Sequence, residues 1–153
     1  MQLLRKVASF GASKEDLKDI YVLFIRSILE QSAVVWSSGL TCENKNDLER
    51  VQKSALRIIL GKEYNNYNSA LNRLNLLSLE ERRKQLCINF ATKCTKNDKL
   101  KNMFPLNEHK HRMKTRHKEK FKIFKAKTER LKKSAIIYMQ NLLNSEDTKI
   151  TKF

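Results

Sequence analysis

The scarcity of chain-breaking residues is the feature that most constrains the fold of this chain. Only three glycines and one proline occur in 153 residues. Sandwiches and barrels of β-strands need a turn roughly every eight to twelve residues, whereas helices need few such residues. The chain is therefore predicted to be all-α. Its length and 41% hydrophobic content suit one small helical bundle rather than two full domains.

A long helix is predicted to begin after Ser13 and to continue to about Trp36. Serine followed by acidic residues is typical of a helix N-terminus. At about 100° per residue, one face of this helix is apolar and is expected to pack inward, while Arg26 and Glu30 are expected on the outer face. The residues expected inside are Leu17, Ile20, Tyr21, Phe24, Ile28 and Val35.

Three more helices are predicted before residue 97. Thr41 is expected to cap a helix that ends at Gly61, and a helix of two or three turns is expected within residues 64–77, with asparagines at both ends. Ser78 and the glutamate three residues later form a capping box, which predicts a helix running to about Lys96. The short connections favour a small bundle of neighbouring helices.

The charge distribution divides the chain into three segments. The whole chain carries 32 Lys and Arg against 16 Asp and Glu, a net charge of +16. Residues 96–133 alone carry a net charge of +11, whereas the residues before and after them carry +5 and zero. We predict a helical domain over residues 1–96, a basic and partly irregular arm over residues 97–133, and a short terminal helix and tail over residues 134–153.

The density of positive charge in the arm predicts a polyanionic partner, above all nucleic acid. Phosphates attract flexible cations, and unpaired bases stack on aromatic rings such as Phe121 and Phe124. Two alternatives remain open, a solvated linker without a partner and a surface for anionic membranes or acidic proteins. The candidate binding residues in the arm are Lys110, Arg112, Lys114, Arg116, Lys118, Lys120, Lys122, Arg130, Lys132 and Lys133.

A second basic feature lies on the helix expected between Thr41 and Gly61. Arg50, Lys53 and Arg57 cluster opposite its apolar stripe and could follow one nucleic-acid backbone. The alternative is an ordinary solvated face, which nearby acidic residues would support. The sequence leaves both interpretations open.

No catalytic or metal centre is predicted. The chain lacks Gly-rich phosphate loops and the motifs of hydrolases and metalloproteases, so it is not expected to be an enzyme or to hold a cofactor. His109, His111 and His117 lie close together but lack the further ligands of a zinc site. Cys87 and Cys94 are expected in the core. Without a disulfide framework or an apolar stretch of roughly 20 residues, an intracellular location, nuclear or cytoplasmic, and no membrane span are expected.

Five runs of the sequence resemble, in order, parts of non-LTR (LINE, jockey-like) retrotransposon reverse transcriptases. The first two resemble the region downstream of the polymerase core, and the last three resemble the C-terminal ends of related elements. The five runs are residues 4–40, DLERVQKSALRIILG at 47–61, SLEERRKQLCINFATKC at 78–94, MFPLN at 103–107 and TERLKKSAIIYMQNLLN at 128–144. The most specific elements within them are Leu29-Glu30, Val35-Trp36 and the run from Leu48 to Lys53.

The resemblance implies that residues 1–96 form a thumb-like region, which in polymerases grips the template–primer duplex, followed by a basic extension. The family's catalytic aromatic-x-Asp-Asp motif has no counterpart, because the chain contains no Asp-Asp pair. The resemblance therefore implies that the chain is a C-terminal fragment of an RNA-directed DNA polymerase that lacks the palm. Such a fragment is expected to bind RNA or primer–template without sequence specificity and to contact the remaining polymerase domains. The alternative is an inert structural relic or a protein-interaction module.

Overall fold

The computed structural model describes residues 1–107 and 121–150, with side chains to residue 145. Helices dominate these residues, and no β-strand occurs among them apart from an isolated antiparallel bridge between Leu106 and Phe121. The prediction of an all-α fold is therefore confirmed.

The helices of the described residues follow one another along the chain, joined by short turns. In order, they are α1 (Gln2–Ser9), α2 (Lys14–Ile20), a π-helical segment (Tyr21–Arg26), α3 (Ser27–Glu30), α4 (Ala33–Trp36), α5 (Cys42–Leu60), α6 (Tyr67–Leu74), α7 (Leu79–Thr95), α8 (Glu129–Lys132) and α9 (Ala135–Ile150). Single turns of 3-10 helix occur at Ser37–Gly39, Gly61–Glu63 and Lys101–Met103.

Side-chain caps begin α2, α5 and α6 where the sequence predicts them. The side-chain oxygens of Ser13, Thr41 and Asn66 each accept a hydrogen bond from the backbone N–H three residues later, at 3.1, 3.2 and 2.8 Å. Gly61 (φ 54°) and Asn75 (φ 51°) follow α5 and α6 in conformations that other residues rarely adopt. Local chemistry thus sets these helix ends.

The predicted continuous helix from Ser13 to Trp36 is wrong, because the chain breaks at Gln31 and Ser32. Gln31 leaves the helical conformation with ψ 124°, and Ser32 has φ 53°. Serine has no special preference for positive φ, so the residue type carries no signal for this break. The helix is consequently interrupted one turn before Trp36.

The predicted inward face of this helix is correct at Leu17 and Tyr21 but wrong beyond them. Phe24 and Ile28 are exposed, whereas the side chain of Glu30 is only 13% exposed. The cause is the π-helical segment, in which hydrogen bonds span five residues instead of four. One extra residue in a turn rotates all later residues by about 100° relative to the α-helical pattern.

The described contacts divide the chain into two compact units, residues 1–33 with 40–83 and residues 34–39 with 84–153. This division concerns packing, so the predicted domain boundaries near residues 96 and 133 stay predictions.

The first unit has a core built from α1, α2, α5, α6 and the turns between them. Its buried members are Leu4, Leu17, Tyr21, Ala55, Leu56, Ile59, Leu60, Ala70, Leu71, Leu74 and Leu76.

The second unit has its own core, in which cysteines pack as small apolar residues. Cys87 and Cys94 are buried, as the sequence predicts, and neither forms a disulfide among the described residues. The Cys87 Sγ lies 3.4 Å from the Ser37 Oγ, and burial raises the pKa of the Cys94 thiol. The buried members of this core are Cys87, Ala91, Cys94, Phe104, Phe121, Met139 and Leu143.

Helix α9 holds the two described ends of the basic arm. The Asn144 amide donates to the Phe121 carbonyl and accepts from the Phe121 N–H, both at 3.0 Å. The buried Gln140 amide donates to the Met103 carbonyl at 2.9 Å and accepts from the Phe124 N–H at 3.3 Å. The described parts of the arm are thus fixed through backbone groups, which hydrophobic periodicity does not report.

Replacing Gln140 by leucine is expected to lower the free energy of unfolding by about 1 to 3 kcal/mol, because the Met103 carbonyl and the Phe124 N–H lose their partner. A denaturant titration measures the loss. Asn141→Leu, at the adjacent exposed position of α9, is the control and is expected to change stability by less than about 0.5 kcal/mol. Equal effects would show that the Gln140 amide does not bridge these segments.

Candidate nucleic-acid interface

The row predicted on the helix between Thr41 and Gly61 lies on the solvent side of α5. Arg50 and Arg57 are exposed and Lys53 is half-buried, while the opposite side of the helix contributes to the core. The structure thus places the three cations along one helix face, as the periodicity predicts. Their role in binding stays a prediction.

Two tyrosines lie beneath this row and were not predicted as part of it. The Lys53 Nζ lies 5.1 Å from the centre of the Tyr67 ring, and the Arg57 guanidinium carbon lies 5.3 Å from the centre of the Tyr64 ring. Both distances fall within the range of cation–π attraction. The tyrosines come from the connection after α5 and from α6, so periodicity within α5 gives no sign of them.

Arg50 differs from the other two cations because its charge is paired. Its guanidinium donates to the Asp47 carboxylate at 2.8 Å, three residues earlier on the same exposed helix face. Such an exposed pair contributes little to stability, yet it lowers the net positive charge around Arg50. Lys53 and Arg57 are therefore the stronger candidates for contacts with phosphates.

A partly buried polar network fixes the aromatic side of the row. The Tyr67 hydroxyl donates to the Glu49 carboxylate and lies 3.2 Å from the Gln52 side-chain oxygen. Gln52 donates to the Leu77 carbonyl at 3.0 Å, and Glu49 accepts from the Glu80 N–H at 2.9 Å. Burial and the bond to Glu49 raise the pKa of Tyr67, which keeps the hydroxyl protonated as a donor. Glu49 thus helps to hold the Tyr67 ring in the position where it contacts Lys53.

A second polar contact accounts for the inward position of Glu30. The Arg82 guanidinium donates two hydrogen bonds to the Glu30 carboxylate, at 3.0 and 2.9 Å, and Arg26 lies 3.5 Å from the same group. The bond to Glu30 raises the pKa of Arg82. This two-point contact joins α3 to the start of α7. The expectation that Arg26 and Glu30 lie on the outer face is therefore wrong.

The arm residues Lys110, Arg112, Lys114, Arg116, Lys118 and Lys120 lie outside the described residues, as do the three histidines of the chain. The other predicted binding residues of the arm are described and exposed, and one of them, Lys132, pairs with Glu129. Those residues are Lys122, Arg130, Lys132 and Lys133. Lys125 and Lys127 are exposed as well and extend the described basic set beyond the prediction.

The described residues offer no group of three or more His, Cys, Asp or Glu side chains arranged to hold a metal ion. Among the same residues, no single helix has both the length and the apolar character needed to cross a bilayer. One pair of helical stretches, Lys14–Glu30 and Ala33–Gly39, meets that test only when the two are joined, and they are bent by 43°.

No protein-family model, curated protein sequence or solved structure matches the chain. The resemblance to retrotransposon reverse transcriptases therefore depends on the sequence runs alone.

Proposed function

We propose that the chain is a non-catalytic, C-terminal helical part of a non-LTR retrotransposon reverse transcriptase that binds RNA or primer–template without sequence specificity. The observation that supports binding most directly is the row on α5, where Lys53 and Arg57 lie over tyrosine rings. An intracellular location and contacts with other polymerase domains belong to the same proposal.

The dimensions of the row suit one nucleic-acid strand. Arg57 lies seven positions after Arg50, which corresponds to about 10 Å along a helix. With one phosphate per roughly 3.4 Å of each strand along the duplex axis, this length covers about three phosphates. The row can therefore contact successive phosphates without bending the helix.

The tyrosine rings restrict the Lys53 and Arg57 side chains before nucleic acid binds. A lysine or arginine side chain that is free in solution loses rotamer entropy when it contacts a phosphate. Lys53 and Arg57 already lie over Tyr67 and Tyr64, so part of this loss has occurred before binding. A guanidinium beside an aromatic ring also suits stacking with unpaired bases.

Replacing Lys53 and Arg57 together by alanine tests this face. We expect the salt dependence, the slope of log K against log salt concentration, to flatten by about 1.4 to 1.8, because two phosphate contacts are lost. Affinity for a labelled RNA or a primer–template at 0.1 M salt should fall by roughly 30-fold. Fluorescence anisotropy at several salt concentrations gives both quantities.

The matched control is Arg5→Ala with Lys6→Ala, which removes the same two types of charge from exposed positions of α1. The control is expected to change the slope much less. If the two double variants lower affinity equally, binding depends on overall charge and the α5 row is not an interface.

A further inference from the structure

The outer face of the stretch from α2 to α3 carries an apolar patch. Leu23, Phe24 and Ile28 are 66%, 59% and 71% exposed. Large apolar side chains that are exposed side by side often mark a surface for a partner. Their exposure follows from the π-helical turn, which instead directs Glu30 toward Arg82, with Arg26 beside the same Glu30 carboxylate. Such turns occur frequently at functional sites.

Acidic residues precede this patch on the same side of the helix. Glu15, Asp16 and Asp19 are all exposed, and Asp19 lies four residues before Leu23, which places the two side chains on one stripe. Asp16 also contributes to the cap at Ser13. Lys14 and Lys18 lie on the same helix, but Lys14 pairs with Glu63. The three carboxylates therefore leave an excess of negative charge beside the apolar patch, in a chain whose net charge is +16.

We propose that this acidic–apolar face, formed by Glu15, Asp16, Asp19, Leu23, Phe24 and Ile28, binds an amphipathic helix of another protein. The partner helix presents large apolar residues to the patch and lysine or arginine one to two turns away, opposite the carboxylates. Helices commonly bind apolar faces through residues at such spacing, and complementary charge fixes their direction. This surface and its partner go beyond the proposed binding of nucleic acid by α5.

Charge complementarity selects this partner over the other occupants. Nucleic acid and anionic lipid surfaces are repelled by the three carboxylates. A second copy of the chain would bring together two identical sets of carboxylates and two molecules of net charge +16. The segment from Leu23 to Ile28 offers a single basic residue, Arg26, which is already turned toward Glu30. An amphipathic basic helix of a different protein can cover the apolar patch and place its cations opposite the carboxylates.

Two synthetic helical peptides of roughly 20 residues provide the test with the full-length chain. Both carry leucines at positions i, i+4 and i+7, one with lysines and the other with glutamates beside them. The basic arm attracts the glutamate peptide as well, so the two peptides are compared by the binding that Phe24→Gln with Ile28→Gln removes. We expect this Phe24-dependent binding to be at least about tenfold tighter for the lysine peptide in fluorescence anisotropy. The variant Phe24→Gln with Ile28→Gln should weaken its binding by about tenfold or more, and Glu15→Lys with Asp19→Lys should favour the glutamate peptide.

Phe10→Gln is the matched control, since Phe10 is an apolar residue that is 87% exposed outside this face. It should leave peptide binding unchanged. Equal Phe24-dependent binding of the two peptides, or equal effects of the Phe10 and Phe24 variants, would overturn the proposal. So would a dimer, detected by light scattering, that Phe24→Gln dissociates, or binding to anionic vesicles that depends on Phe24. Unchanged RNA affinity in the Phe24 variant would separate this surface from the α5 row.

Discussion

Replacing Tyr21 by alanine is expected to lower the free energy of unfolding by about 3 to 5 kcal/mol, whereas Phe24→Ala should cost less than about 1 kcal/mol. The two aromatic residues are three positions apart, yet Tyr21 is fully buried in the first core and Phe24 is exposed. Removing the buried ring leaves a cavity, while removing the exposed ring leaves none. Denaturant titrations of the two variants measure the contrast.

Tyr21→Phe separates packing from hydrogen bonding at the same position. The Tyr21 hydroxyl is buried and has no hydrogen-bond partner among the described residues, and burial raises its pKa. Deleting only this hydroxyl is expected to be neutral or to stabilise the protein by up to about 1 kcal/mol. If Phe24→Ala costs as much as Tyr21→Ala, the helix follows the regular α-helical pattern and the π-helical segment is wrong.

Helix ends were predictable from the sequence because they depend on neighbouring residues. Ser13, Thr41 and Gly61 act within one turn of their own position, through a side-chain oxygen or through freedom at positive φ. The sequence therefore locates α5 almost to the residue. The break at Ser32 has no comparable local signal, and the prediction fails there.

The inward face beyond Tyr21 could not be predicted because distant residues decide it. Glu30 lies 52 positions before Arg82, and their two-point contact exists only once α7 is in place. This contact and the π-helical turn support the same rotation, which buries Glu30 and exposes Phe24. A pattern based on about 100° per residue assumes a regular helix and so misses a one-residue shift.

The candidate interface was half predictable for the same physical reason. Arg50, Lys53 and Arg57 share a face of one helix, so their spacing alone groups them. Tyr64 and Tyr67 join them only through the packing of α5 against the segment that follows. Of a candidate surface built from two elements, the sequence therefore predicts only the residues that lie on one helix.

The same rotation of the α2–α3 stretch changes both the interior and the surface of the first unit. A regular helix would bury Phe24 and Ile28 and leave Glu30 in solvent, away from Arg82. The observed arrangement instead exchanges apolar burial for a charge-assisted contact and leaves an apolar patch outside. A chain that exposes such a patch gains stability when a partner covers it. This is why the variants at Phe24 test binding rather than folding.

Replacing five basic residues of the arm by alanine is expected to have the largest effect on nucleic-acid binding. Between Lys110 and Lys133 the chain carries twelve Lys or Arg residues. If half of them contact one strand, log K should fall against log salt with a slope of roughly −4 to −5. Seven of the twelve cations remain in the five-residue variant, so the slope should flatten to roughly −2.5 to −3 and affinity at 0.1 M salt should fall by roughly 30- to 100-fold. The substituted residues are Arg112, Lys114, Arg116, Lys118 and Lys120.

A second five-residue variant removes the same net charge from exposed positions elsewhere and serves as the control. Its substituted residues are Arg5, Lys6, Lys62, Lys93 and Lys96, each replaced by alanine. Because counterion release depends on the phosphates actually contacted, the control should keep most of the slope. Affinity should fall alike for all sequences in the arm variant, since phosphate contacts carry no sequence information. Unchanged affinity and slope in the arm variant would contradict a binding arm and favour a structural relic or a protein-interaction module.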